Sequence, residues 1–388
     1  MKQSFDDISA QLRARHRKSA RLKWASMGAL GLAALFLVLF FADMLIKGTP
    51  AFQQAQIEVE VSYTEQASQL PLAAVNEDVR QLVSRGYLRL IPGRMRDNPD
   101  LLGATSMEWV LADGQVDQYL KGHHSKLNDR QKAVVDRLEQ EGRAELRFNT
   151  RFFTSGDSKM PELAGIASAA MGTVLTLMVT LAVAFPIGVM TAVYLEEFAP
   201  DNRFTQLIEI NINNLAAIPS ILFGLLGLAI FINFFGVPRS TPIVGGLTLA
   251  LMTLPVIIIS TRTALRSVPD SIRHAAFGVG CSRWQMVRDH VLPIAMPGIM
   301  TGSIIGLAQA MGETAPLIII GMVAFIPDVS TSISDAATVL PAQIFTWAGE
   351  PDRAFIEKTS GGILVLLAVL ISLNASAVVL RKRFERRW

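Results

Sequence analysis

Residues 274–293 read His-Ala-Ala-Phe-Gly-Val-Gly-Cys-Ser-Arg-Trp-Gln-Met-Val-Arg-Asp-His-Val-Leu-Pro. This is a polar, basic interlude of helical character between two long apolar runs. It opens on small residues, turns at Gly280 and closes at Leu292-Pro293. Joining two membrane spans does not require so long and patterned a link. The stretch therefore predicts a cytoplasmic docking element that receives force from a partner.

The surrounding sequence makes membrane spans nearly unavoidable. Of 388 residues, 51% are hydrophobic and 18% charged, with a mean hydropathy of +0.36. The apolar excess sits in blocks, several of which reach the roughly 20 residues a bilayer crossing requires. A formal charge of +3 is small, and the basic residues gather beside apolar ends rather than along a nucleic-acid-binding face. Cys281 is the only cysteine, so an intrachain disulfide and thiolate metal clusters are excluded.

Residues 1–47 combine a basic start (Arg13, Arg15, Arg17, Lys18, Arg21 and Lys23) with an apolar run over 24–46. That run is too long for a signal peptide and no Ala-x-Ala site follows it closely, so a retained first helix with a cytoplasmic N-terminus is expected. Residues 48–158 change character to that of a soluble unit. Ile57, Val59 and Val61 alternate with Glu58 and Glu60, and Leu146, Phe148 and Thr150 alternate similarly, which predicts strands. Val134, Val135 and Leu138 have helical spacing within 128–146. A small α+β insert outside the membrane is expected. The His123-His124 pair has no evident third ligand and reads as a solvated loop.

Five further apolar runs (164–195, 210–235, 243–261, 297–325 and 361–380) bring the total to six crossings. The fold class predicted is an all-α polytopic membrane protein, with the core over 159–388 and a cytoplasmic loop over 263–296. The basic tail 381–388 and Arg266, Arg273, Arg283 and Arg288 share one side of the membrane under the positive-inside rule. Glu196, Glu197 and Asp201 run against that bias, which weighs acidic residues little.

No Gly-Lys pair occurs anywhere, so a nucleotide-binding P-loop is absent, as are His-Glu-x-x-His and Gly-x-Ser-x-Gly. The chain is not read as an enzyme. Its chemistry rests on intramembrane polar residues. Glu313 falls inside an apolar run, where an ionised carboxylate costs at least ~2.5 kcal/mol. It either borders a translocation path or is a paired structural group. Arg262 ends the fourth run and has three readings: pairing with an anion, pairing with Glu313, or reaching to the interface. Asn211, Asn213 and Asn214 enter the third run, which Pro219-Ser220 interrupts, and they either hydrogen-bond between helices or line a pore. Gly224 and Gly227 permit close helix packing on either reading.

Ala275, Ala276, Gly280, Leu292 and Pro293 stand at the spacing of the EAA loop, and the stretch resembles that loop in ABC importer permeases. His274 and His290 replace the family's Glu and Ile. The resemblance implies a coupling helix around 275–282, so that His274, Ala275, Ala276, Gly278, Gly280, Cys281, Leu292 and Pro293 form the contact with a cytoplasmic ATPase. Asn214-Leu-Ala-Ala-Ile-Pro-Ser-Ile-Leu-Phe-Gly224, Val268-Pro-Asp-Ser-Ile-Arg273 and Gly312-Glu-Thr-Ala-Pro-Leu317 further resemble the PstA-type permeases of phosphate ABC transporters. Gln309 stands where many of these carry Arg. The family implies a homologous PstC-type permease, two PstB-type ATPases holding ATP and magnesium, and an extracytoplasmic PstS-type phosphate-binding protein. It would put Glu313, Thr314, Gln309, Arg262, Asn214 and Ser220 along the substrate path, in an inner-membrane protein with both termini cytoplasmic. A permease for sulfate or molybdate is the nearest alternative. A secondary transporter would need a repeat that the sequence lacks.

Overall fold

The computed structural model describes residues 2–384. Helix α1 (Lys2–Gly48) carries the first apolar run and leads into a three-stranded antiparallel sheet. Its strands are β1 (Gln53–Ser62), β2 (Thr105–Leu111) and β3 (Ala144–Phe148), in the order β2-β1-β3. Ile57, Val59 and Val61 on β1 are almost fully buried, as their alternation with glutamates predicts. Helix α2 (Asp129–Gln140) covers the same core through Val135 and Leu138, and Asn128 closes its N-terminus in a reciprocal box with Gln131. Leu146 and Phe148 depart from expectation. They face outward on β3, Ala144 is the buried residue there, and Thr150 already belongs to a helical turn. β2 escapes the sequence reading because its alternation is broken by Trp109-Val110-Leu111.

Helix α3 (Ala167–Val193) follows, extended by a π-helical turn at Tyr194–Phe198. Its buried side reads Ser168, Gly172, Thr176, Thr180, Ala184, Gly188 and Ala192, one small residue every fourth position. Such a stripe lets two backbones approach closely where lipid provides no hydrophobic drive for helix association. Next come α4 (Arg203–Ala216) and α5 (Ser220–Gly227), the latter continued by a π-helical stretch at Leu228–Phe234. Helix α6 (Pro242–Arg266) lies along the α3 stripe. Thr180 Oγ1 donates to the Gly246 carbonyl at 3.2 Å, and a methyl on Gly188 would sit 2.7 Å from Ile257 Cγ2.

The chain then forms α7 (Asp270–Gly278), a left-handed turn at Gly280 (φ 84°), and α8 (Leu292–Gly312). A five-residue α9 (Ala315–Ile319), α10 (Leu340–Ala348) and the closing α11 (Ala354–Phe384) complete it. Residues 385–388 of the basic tail lie outside the described residues.

Five helices are long and apolar enough to cross a membrane, or six counting α4 and α5 as one broken span. The expected interruption of the third run is a sharp bend, and the fifth run is corrected. The third is not one straight helix: α4 and the Ser220–Phe234 helix meet at 104°, because Pro219 has no amide hydrogen and disfavours helix in the residue before it. The fifth does not continue to residue 325. It stops at Gly312, and Glu313 is extended (ψ 128°) ahead of Pro316. The strand insert and the α7 loop lie at opposite ends of the bundle: α3 and α6 run side by side from the insert end, with Gly246 against Thr176 and Gly188 against Ile257, α8 runs back with Gly298 against Ala264 and Gly306 against Thr253, and α11 starts at the insert end with Gly361 against Ala51.

Candidate functional site

At the end of the bundle away from the insert, α7 and the segment after it fold back as one unit. Ala276 packs inward with Val268, Met286, Val287 and Val291, while Phe277, Val279 and Trp284 stand 47%, 80% and 58% exposed. Of the other residues expected at the contact, His274, Ala275, Gly278 and Gly280 are exposed and Cys281 is half-buried. Ser282 and Gln285 cap one another to restart the helix. From there it runs without interruption to Gly312. Leu292-Pro293 is thus not the close of the loop. A π-helical turn at Met286–Val291 absorbs the hydrogen bond that Pro293 cannot make. His290 Nε2 stands 4.0 Å from Cys281 Sγ across the turn.

Charged side chains tie this unit to the spans. Arg273 Nη2 donates to Glu197 Oε1 at 2.8 Å and to the Leu265 carbonyl at 2.9 Å, and Arg273 Nη1 donates to the Val268 carbonyl at 2.7 Å. Hydrogen bonding to Glu197 holds the Arg273 guanidinium above its ordinary range. Arg262 donates to Glu196 at 3.2 Å and Glu209 at 2.6 Å, and Arg266 donates to Glu196 at 2.7 Å. Glu196 and Glu197, which ran against the charge bias, are the counter-ions of three arginines. The two glutamates at the end of α3 therefore hold α6 and α7, and Glu209 of α4 joins the cluster through Arg262. Sequence reasoning missed this cluster because its members are 53 to 76 residues apart.

Arg262 is not paired with Glu313. Gly298 abuts Ala264 and Gly302 abuts Ser260, so Arg262 is level with that part of α8. Glu313 lies more than ten residues further along, about 16 Å at the helical rise. Of the remaining path residues, Asn214 and Gln309 are exposed, and Ser220, Glu313 and Thr314 half-buried. The Glu313 carboxylate has no ion-pair or hydrogen-bond partner among the described residues. Asn211 spends its amide on the Leu207 carbonyl within α4. Close contact of α5 and α9 depends on Gly224, where a methyl would sit 2.7 Å from Pro316 Cα. The histidine pair divides: His123 Nδ1 lies 2.8 Å from Glu357 Oε1. No group of three metal-ligating side chains occurs among the described residues.

Residues 184–388, from the second half of α3 through the loop unit to the C-terminus, match the family described as "Binding-protein-dependent transport system inner membrane component". The chain belongs to that family. Residues 9–91 match a second family, a domain of unknown function (DUF3333). The transport-system component is 32% identical over 224 residues to "Phosphate transport system permease protein PstA 1" of Mycobacterium tuberculosis (strain CDC 1551 / Oshkosh), covering 58% of this chain and 72% of the relative. It is 32% identical over 231 residues to the PstA of Mycobacterium leprae, covering 59% and 75%. A probable ABC transporter permease of Bacillus subtilis, YqgI, is 35% identical over 168 residues, covering 43% of this chain and 57% of the relative. Among solved structures, an inward-facing MetNI methionine ABC transporter chain overlaps 55% of this chain and 95% of its own length, at a TM-score of 0.45 and 18% identity. As a family member the chain is a multi-pass inner-membrane transport subunit of an ABC system.

Proposed function

We propose that this chain is the PstA-type permease of an ATP-driven phosphate importer, forming half of the translocation path. The loop unit faces the cytoplasm and α7 seats in an ATPase, while the insert lies on the outer side. The observation that carries this reading is the loop unit itself, which presents the apolar triplet Phe277, Val279 and Trp284 outward while Arg273 at its base is paired with Glu197 at the end of α3. The partners are a PstC-type permease, two PstB-type ATPases that bind ATP and magnesium, and a PstS-type binding protein.

The geometry supports a direct mechanical route. Closure of the ATPase pair on ATP displaces α7; Arg273 and Glu197 carry the movement to the end of α3, and Arg262 and Arg266 carry it to α6. The continuous helix from Arg283 to Gly312 transmits the same displacement to the Gly312–Thr314 break beside Gln309. Such switching requires ligands that bind the two states differently, which ATP and the loaded binding protein supply. Arg262 is held by two carboxylates, so cationic contacts for phosphate fall mainly to the partner permease, with Gln309, Thr314, Ser220 and Asn214 as hydrogen-bonding groups of this half.

The test is ATP-dependent uptake of phosphate, sulfate and molybdate by proteoliposomes holding all subunits. Phosphate uptake that saturates and excludes the other two supports the reading. Preference for sulfate or molybdate replaces phosphate with another oxyanion, and uptake without the ATPase refutes the mechanism.

A further inference from the structure

The insert and the core enclose a cleft of about 930 Å³ that the transport mechanism does not use. Arg80, Arg85 and Arg89 line it from the insert, Lys126 joins them from the loop before α2, and Lys159 comes from the segment leading to α3. None of these five cations takes part in an ion pair among the described residues. Arg80 Nε is closed off from solvent and has no hydrogen-bond acceptor among the described residues. That closed-off nitrogen does not open on the cleft, so what the cleft offers a ligand is the five unpaired cations that line it.

Three carboxylates also border the space, and each already accepts from a donor of the chain. Asp113 caps the Gln115 amide at 3.0 Å, and Glu162 accepts from Ser84 Oγ at 2.8 Å. Burial pushes the carboxyls of both upward, toward the neutral form. Asp352, the third, accepts from the Ala354 amide at the start of α11 at 3.0 Å. The balance is cationic, and Leu72, Leu88, Leu127 and Met160 add an apolar wall.

We propose that this cleft is a binding site for a phosphoryl dianion, carried on a small organic body as a phosphate ester. Planar guanidinium forks match phosphoryl oxygens bidentately, and lysines add charge without demanding direction. The volume falls in the range of small-molecule sites and exceeds what a bare phosphate fills. The apolar wall suits the organic body. Because Lys159 and Asp352 belong to the segments entering α3 and α11, occupancy joins the insert to two spans. The inference rests on the proposed function only for the side of the membrane to which the cleft opens.

The test uses the complete transporter in phosphatidylcholine nanodiscs without nucleotide, titrated calorimetrically with glycerol 3-phosphate, inorganic phosphate and, as a control, gluconate. We expect saturable binding of the ester with a dissociation constant near or below about 1 mM. Arg80→Gln and the surface variant Arg89→Gln should each weaken it about tenfold, whereas Glu313→Gln, on the path, should leave it unchanged. Equal or tighter binding of inorganic phosphate, lost in the same arginine variants, would keep the phosphoryl site and remove the organic body. No saturation by either phosphoryl compound up to about 10 mM overturns the proposal. So does gluconate binding as tight as theirs, or affinity unchanged in both arginine variants. Phosphate uptake without cleft binding defeats this inference alone. Cleft binding in a transporter that carries another oxyanion defeats the functional reading alone.

Discussion

Glu197, with 5% of it exposed, ties α7 to the end of α3 through its ion pair with Arg273. Removing one member of such a pair strands the other, at a cost of roughly 1–3 kcal/mol. Glu197→Gln and Arg273→Gln should therefore insert and assemble normally yet lose most phosphate uptake while ATP hydrolysis continues. The exchange Glu197→Arg with Arg273→Glu should restore part of it. Uptake unchanged in both single variants would show that the pair transmits nothing. Glu313→Gln should alter uptake more than assembly; normal uptake would make Glu313 structural. In the insert, burial raises the Glu162 carboxyl above its ordinary 4.5. The folded chain thus binds that proton more tightly than the unfolded chain does. Its stabilising contribution is complete below about pH 4.5 and is lost as pH rises through the higher folded value. Glu162→Gln, which keeps an acceptor for Ser84, should raise the unfolding temperature of the insert at neutral pH and little in acid. A thermal scan followed by tryptophan fluorescence at two pH values decides it, and a variant that melts lower at neutral pH contradicts the argument.

Among the helices, the α3–α6 contact is the frame on which the others hang. A methyl on Gly246 would sit 2.6 Å from Val179 Cγ1 and 2.8 Å from the Thr176 carbonyl. Gly246→Val should cost about 1–3 kcal/mol or more through overpacking and lower the thermal stability of the detergent-solubilised chain. Gly312→Ala meets nothing within 4 Å and should leave it unchanged. Equal stability of the two variants would refute the close-packing account. What the sequence disclosed about these elements follows from the range of each signal. The six apolar runs, the Gly280 turn and the buried face of β1 were legible because hydropathy, glycine and period-two alternation are local. Pro219 announced its break, though not the 104° bend, which depends on α4 leaning on Leu195 and Ile258 through Ile208 and Ile212. The break at Glu313 was hidden by hydropathy that continues past it to residue 325. The orientation of Leu146 and Phe148 was misread because β3 is an edge strand with little beneath it. The Glu196–Glu197 cluster was invisible for want of any local pattern linking charges so distant in sequence.

At the level of the assembled chain, insert and core are not loosely tethered. Glu357, in the first turn of α11, receives Gln118 Nε2 at 2.7 Å and Lys121 Nζ at 2.9 Å, and Trp347 Nε1 reaches Asp157 at 2.9 Å. On the proposed reading the molecule is a lever between a docking unit at one end and an outer platform at the other. That account depends above all on where residue 281 lies and what covers it. Cys281 is the sole cysteine, so the native chain can be probed with a membrane-impermeant maleimide in inverted and right-side-out vesicles. The account predicts labelling only in inverted vesicles stripped of ATPase, and protection when the ATPase is restored. Labelling from the outer side, or labelling that the ATPase leaves unchanged, would contradict it.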